Sequence, residues 1–117
     1  VMNFENLDSL YRSSPGAYRE LLEFMYQEFE KAQSKITSSI EKGDSTAFSH
    51  LKHKIFSTLN TLEYVELMDA LTQVTSFYEG DKSLSAKELT FRVSDLFQHL
   101  FHRLDDKIAE LDELKVM

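Results

Sequence analysis

Between Ser45 and Leu62 the chain reads STAFSHLKHKIFSTLNTL, with two lysines, two histidines and no carboxylate, although twenty of the 117 residues are acidic. Local positive potential in an acidic protein marks a place for an anion. If the segment is a helix whose core stripe is Phe48, Leu51, Ile55, Leu59 and Leu62, steps of about 100° per residue put His53 opposite that stripe, in solvent. Ser49, His50, Phe56 and Ser57 flank His53 on the same face one turn away, and Asn60 follows two turns on. A neutral imidazole nitrogen is a competent nucleophile near neutral pH, and an exposed one can be reached by an incoming phosphoryl donor. Small neighbours such as Ser49 and Ser57 leave room for that group, and Lys54, Lys52 or a serine hydroxyl can hold its oxygens. His50 is the rival acceptor. The plainer readings are a solvated surface histidine, solubilising lysines, and a Phe56 tucked under a neighbouring helix or offered to a docking partner.

The elements that must position this face are helical. One proline and three glycines leave little room for turns. The breaks fall at Ser13-Ser14-Pro15-Gly16, at Gly43-Asp44-Ser45, somewhere between Asn60 and Tyr64, and at Gly80-Asp81-Lys82-Ser83. Ser14 before Pro15 predicts a capped helix start, and Gly43 a left-handed stop. Between them Leu21, Leu22, Met25, Phe29, Ala32, Ile36 and Ile40 recur at three- and four-residue steps. Asp44 or Ser45 caps the next helix. Leu67, Leu71, Val74 and Phe77 or Tyr78 carry a third stripe. After Gly80, with Asp81 or Ser83 as the cap, Leu89, Val93, Leu96, Phe97, Leu100, Leu104, Ile108 and Leu111 carry a fourth. Asn3 to Arg12 predicts a short extra helix covering one end through Phe4, Leu7 and Leu10. The expected fold class is all-α: an up-down antiparallel four-helix bundle with a short N-terminal helix, as one domain over residues 1–117.

Composition excludes several functions. Without cysteine there are no disulfides, thiolate zinc sites or cysteine nucleophiles, which fits a reducing compartment. No apolar run is long enough to cross a bilayer and the start lacks a leader pattern, so the expected location is cytoplasmic, without membrane contact. A net charge of −7 repels nucleic acid. His50 with His53 and His99 with His102 stand three apart, with Asp105 or Asp106 near the second pair, but neither pair has a third metal ligand at a characteristic spacing. The stretch DDKIAELDELK mixes signs and predicts a solvated face. No phosphate-binding glycine loop, nucleophile elbow or paired-carboxylate site is present.

The stretch from 25 to 74 resembles the histidine phosphotransfer family of phosphorelay proteins. The resemblance rests on Phe29, the Ile36 and Ile40 pair, the Gly43-Asp44 turn, the HKIFS run in which His53 and Ile55 match the family's histidine and following aliphatic position, and Leu67 with Leu71. It implies a four-helix bundle with an exposed histidine on its second long helix. It also implies a phosphocarrier of two-component signalling rather than an enzyme with its own small substrate. Its partners are response-regulator receiver domains, and a hybrid sensor kinase is a further candidate. The receiver brings the aspartate and the Mg²⁺, so the chain needs no cofactor of its own, and a monomer is expected. Ser49, His50, Lys54, Phe56, Ser57 and Asn60 are the candidate phosphate-holding or docking residues around His53. The sequence departs from the family where a lysine usually follows three residues after the histidine (here Phe56), a glycine four after (Ser57), and a second glycine ten after (Glu63). Glu63 implies a less sharp turn. The loss of the lysine keeps open an alternative, an interaction adaptor of the same shape without phosphotransfer; a metal-binding bundle is a third, weaker alternative.

Overall fold

The boundaries of the five helices follow from the chemistry at each end. The computed structural model describes residues 2–116, the last two by backbone alone, so the Lys115 side chain lies outside the described residues. It places α1 at Glu5–Tyr11, α2 at Pro15–Lys42, α3 at Ser45–Thr61, α4 at Val65–Tyr78 and α5 at Ala86–Val116, with no strand among the described residues. Ser14 occupies the cap position before α2, but its side chain makes no capping bond; Pro15, with its φ preset and no N–H to satisfy, carries the start. The Asp44 carboxylate accepts from the Ala47 N–H at 3.0 Å and caps α3. The cap of α5 differs from the sequence expectation. Neither Asp81 nor Ser83 serves; Ser85 accepts from the Glu88 N–H and Glu88 from the Ser85 N–H, both at 3.1 Å, a reciprocal capping box written as SAKE. Asp81 instead accepts from the Ser83 N–H.

Three helices stop by one backbone device, in which the residue after a left-handed position bonds five residues back and the left-handed residue bonds three back. After α2 these bonds are Asp44 N–H to Ser39 and Gly43 N–H to Ile40; after α4 they are Asp81 to Ser76 and Gly80 to Phe77. Between α3 and α4 they are Tyr64 to Leu59 and Glu63 to Asn60, each 3.0 Å. The left-handed residue there is Glu63, at φ 52°, while Gly43 and Gly80 sit at 68° and 116°. The expectation of a gentler turn at Glu63 is therefore corrected: the chain makes the tight turn and a residue with a Cβ takes the glycine conformation. Asn3 offsets part of that strain, since its side-chain amide donates to the Glu63 carboxylate and its backbone N–H to the Leu62 carbonyl.

Each long helix buries one stripe. Leu22, Phe29, Ala32, Ile36 and Ile40 of α2 meet Leu89, Val93, Phe97, Leu100 and Leu104 of α5, with Phe48, Ile55 and Leu59 of α3 and Leu67, Leu71 and Val74 of α4. The helices contact in the cycle α2, α5, α4, α3 and back to α2, the α2–α5 pair being the most extensive. That pair runs in opposite directions: Arg19 meets Asp112 at 2.5 Å, Tyr26 meets Phe101 at 4.8 Å between ring centroids, and Phe29 meets Phe97 at 6.4 Å. The whole measures 53 × 20 × 20 Å.

The N-terminal segment packs by Phe4, the residue before α1, and by Leu7 within it, but Leu10 is 75% exposed, against the sequence expectation. Helix α1 ends at Tyr11, whose ring packs on Tyr18 at 5.4 Å, so the position after Leu10 makes the inward contact. Asp8 accepts from the Tyr18 hydroxyl at 2.8 Å and pairs with Lys107 at 2.9 Å. Partial desolvation pushes the Asp8 carboxyl up, but the Lys107 and Tyr18 contacts outweigh it and hold the group below its ordinary range.

Glu63→Gly is expected to raise stability in urea unfolding by about 0.5–1 kcal/mol, the relief of left-handed strain less glycine's extra chain entropy and the lost Asn3 contact. A fall in stability would show that the Asn3 contact outweighs the strain.

Candidate functional site

Helix α3 is held in one rotation by Phe48, Ile55 and Leu59, all buried, and that rotation turns Ser49, His50, His53, Ser57 and Asn60 into solvent. His53 lies in an open groove of about 670 Å³ between α3 and α4. Ser49 and His50 line it from α3, and Thr75, Tyr78 and Glu79 from the end of α4. Both histidines reach this groove, and His50 also borders a second one toward α2. Two histidines three apart on a helix are neighbours, so a single ligand in the groove can touch both.

The lysines separate. Lys52 crosses to α4, where its ammonium donates to Thr75 Oγ at 2.9 Å, and Thr75 itself lines the His53 groove. The same ammonium stands 5.4 Å from the centroid of the Phe56 ring, a cation–π distance. Lys54 lies on the other side of α3, in the groove facing α2, with Lys31, Lys35 and Glu28. Phe56 is half-buried against the core, and Ser57 and Asn60 continue the exposed face toward the α3–α4 turn. The structure thus brings His53, His50 and Ser49 together, adds Lys52 through Thr75, and sets Lys54 apart.

The contribution of α4 is what the sequence does not reveal. Thr75, Tyr78 and Glu79 enter the groove because α4 runs back along α3 at a definite register, and no spacing rule within one helix reports the register between two. The polar Thr75 directly after buried Val74 is the available signal, a hydroxyl at the edge of an apolar stripe. Tyr78 braces the groove: its hydroxyl donates to the Ser39 carbonyl at 3.0 Å, and its ring packs on Phe48 at 5.8 Å. Burial, and then the Asp44 carboxylate, hold its phenol above the ordinary value, so it remains a protonated donor. Glu79 adds a carboxylate to the groove lining.

Chemically, the groove offers an accessible imidazole and hydroxyls from Ser49 and Thr75, the latter bound by the Lys52 ammonium, and imidazole and hydroxyl groups can receive a tetrahedral anion. Among the described residues no group of three or more His, Cys, Asp or Glu side chains is placed to hold a metal ion. No helix among them is long and apolar enough to cross a membrane. No family model matches the chain, and neither a curated protein nor a solved structure matches it.

Tyr78→Phe is expected to cost about 1 kcal/mol, the net worth of one partly buried hydrogen bond. The Ser39 carbonyl keeps the Asp44 N–H as a donor, so the loss stays near this value. Chemical denaturation of the two proteins measures it, and an unchanged midpoint would mean that the phenol braces nothing.

Proposed function

We propose that the chain is a histidine phosphotransfer module: α2 to α5 form an up-down antiparallel four-helix bundle, α1 is an added cap, and His53 carries a phosphoryl group between receiver domains. The observation that carries the reading is the placement of His53, solvent-exposed on a helix whose opposite face is buried, in a groove that also holds Ser49, His50 and Thr75. An imidazole nitrogen of His53 attacks phosphorus. The bond from phosphorus to the donor aspartate breaks, with its electron pair leaving on the carboxylate, and the reverse step delivers the group to a second receiver. The receiver's Mg²⁺ supplies charge stabilisation from the partner's side. This chain supplies position and access.

The missing lysine three residues after His53 is the departure that bears on this reading. Phe56 occupies that place, and its ring lies beneath the Lys52 ammonium, which Thr75 holds from across the groove. In this reading Lys52 supplies the positive charge from the preceding position, through α4 rather than along α3. Lys54 belongs to the opposite groove and plays no part in holding the phosphoryl group. Ser49, Ser57, Asn60 and the exposed edge of Phe56 form the docking face around the histidine, with His50 beside it.

The test is phosphoryl transfer from a panel of phosphorylated receiver domains to the wild type and to His50→Ala, His53→Ala and Lys52→Met variants, scoring acid-labile, alkali-stable label. The expected result is label lost in His53→Ala and kept in His50→Ala, with Lys52→Met slowed about three- to tenfold, the kinetic equivalent of losing ~1 kcal/mol of charge-assisted contact. Binding of a receiver without any label on the wild type would replace this reading with that of an adaptor lacking transfer chemistry.

A further inference from the structure

On the side of α3 away from His53, a second groove runs between α2 and α3. Its floor is apolar, formed by Met25, Phe29, Leu51 and Ile55, and Phe24 stands on its rim, 60% exposed. Toward the C-terminal end of α2 it adjoins a more polar channel that shares Lys35 and Leu51 with it and is also lined by Ser34, Ser38, Lys42 and His50. From Phe24 to Lys42 the line follows α2 for about 27 Å at 1.5 Å per residue, the length of a five-turn helix.

The charge along this line opposes that of the chain. Four lysines, Lys31, Lys35, Lys42 and Lys54, border the two stretches, against two acids, Glu28 and Asp44. Over the whole sequence the acids outnumber the bases by twenty to thirteen. Glu28 pairs with Lys31 at 3.6 Å and Asp44 caps α3 through the Ala47 N–H, while Lys35, Lys42 and Lys54 form no ion pair among the described residues. The Lys31 side chain itself is 71% exposed. An apolar trough between two helices, rimmed by lysines, accepts the ridge of a third helix whose flanks are acidic.

From this geometry we infer that the α2–α3 groove docks an acidic amphipathic helix of a partner protein, with apolar residues at i, i+3, i+4 and i+7 on the floor and carboxylates against Lys31, Lys35 and Lys54. His53 itself lies outside this groove, which meets the histidine face only at His50, so this docking and phosphoryl transfer at His53 are separable. A helix held here leaves the histidine open to a receiver.

The probe is a synthetic 18-residue helical peptide with leucines in that pattern and glutamates on its flanks, titrated into the full chain by fluorescence anisotropy and followed by amide chemical shifts. Control peptides carry lysine for glutamate or serine for leucine. The expected result is saturable binding of the acidic peptide alone, with shifts centred on Phe24, Leu51 and Thr58. Lys31→Glu/Lys35→Glu/Lys54→Glu should weaken binding at least about tenfold, from three exposed charge contacts of roughly half a kcal/mol each. Phe24→Ser, a single exposed change that leaves the core intact, should weaken it several-fold, whereas His53→Ala should leave it unchanged. Equal binding of the lysine peptide, shifts elsewhere on the chain, or no binding would overturn the inference. So would a dimer abolished by Phe24→Ser in sedimentation, which would assign the groove to a second copy. Binding to anionic lipid vesicles in place of the peptide would assign it to a membrane and equally overturn the inference.

Discussion

The rotation of α3 about its own axis is the constraint on which the candidate site depends. Phe48, Ile55 and Leu59 are buried almost completely, and burying each such side chain is worth about 1.5–3 kcal/mol. A shift of one residue in the stripe would turn the helix by about 100°, exposing those three and driving polar residues into the core. No alternative stripe in the segment has comparable apolar content, because Ser49, His50, His53, Ser57 and Asn60 share the opposite arc. Exposure of His53 is therefore a consequence of packing that lies entirely on the other side of its helix.

Once that rotation is set, the surroundings of the histidine come from α4. The turn after Thr61 sends the chain back along α3, and its geometry demands a left-handed residue that the sequence fills with Glu63. The return places Thr75 where it can hold Lys52, and Tyr78 where it can reach the Ser39 carbonyl. Tyrosines act as cross-braces throughout: Tyr18 to Asp8, Tyr64 to the Leu96 carbonyl, and Tyr78 to Ser39. Burial, followed by Glu66 and Asp95, pushes the Tyr64 phenol up to about 12, so this brace stays protonated at any physiological pH. The two faces of α3 then differ in character. One side offers imidazoles and hydroxyls; the other offers an apolar floor between lysines.

Much of this was legible in the sequence because it is periodic. The stripes of α2, α3, α4 and α5, the stop at Gly43, the Asp44 cap and the exposed arc of α3 all follow from spacing within one element. What spacing could not report was contact between elements. The partition of Lys52 toward α4 and Lys54 toward α2, and the entry of Thr75 and Tyr78 into the groove, depend on inter-helix register. Three departures from expectation are local. The SAKE capping box of Ser85 and Glu88 starts α5, while Asp81, nearer to Gly80, turns its carboxylate to the Ser83 N–H instead. At Glu63 a side chain that disfavours the left-handed region suggested a looser turn, whereas the Asn3 contacts and the two backbone bonds hold the tight one. Leu10 matched the spacing of a buried stripe, but α1 ends one residue later and the inward contact passed to Tyr11.

The step we propose, acceptance of a phosphoryl group by a ring nitrogen of His53, can be observed directly. A long-range proton–nitrogen correlation spectrum of the histidine rings, recorded before and after incubation with a phosphorylated receiver domain, tests it at the nitrogen itself. The expected result is a new phosphoimidazole pattern for His53 alone, with His50, His99 and His102 unchanged. The same pattern on His50, or four unchanged rings in the presence of a receiver known to donate to other carriers, would contradict it.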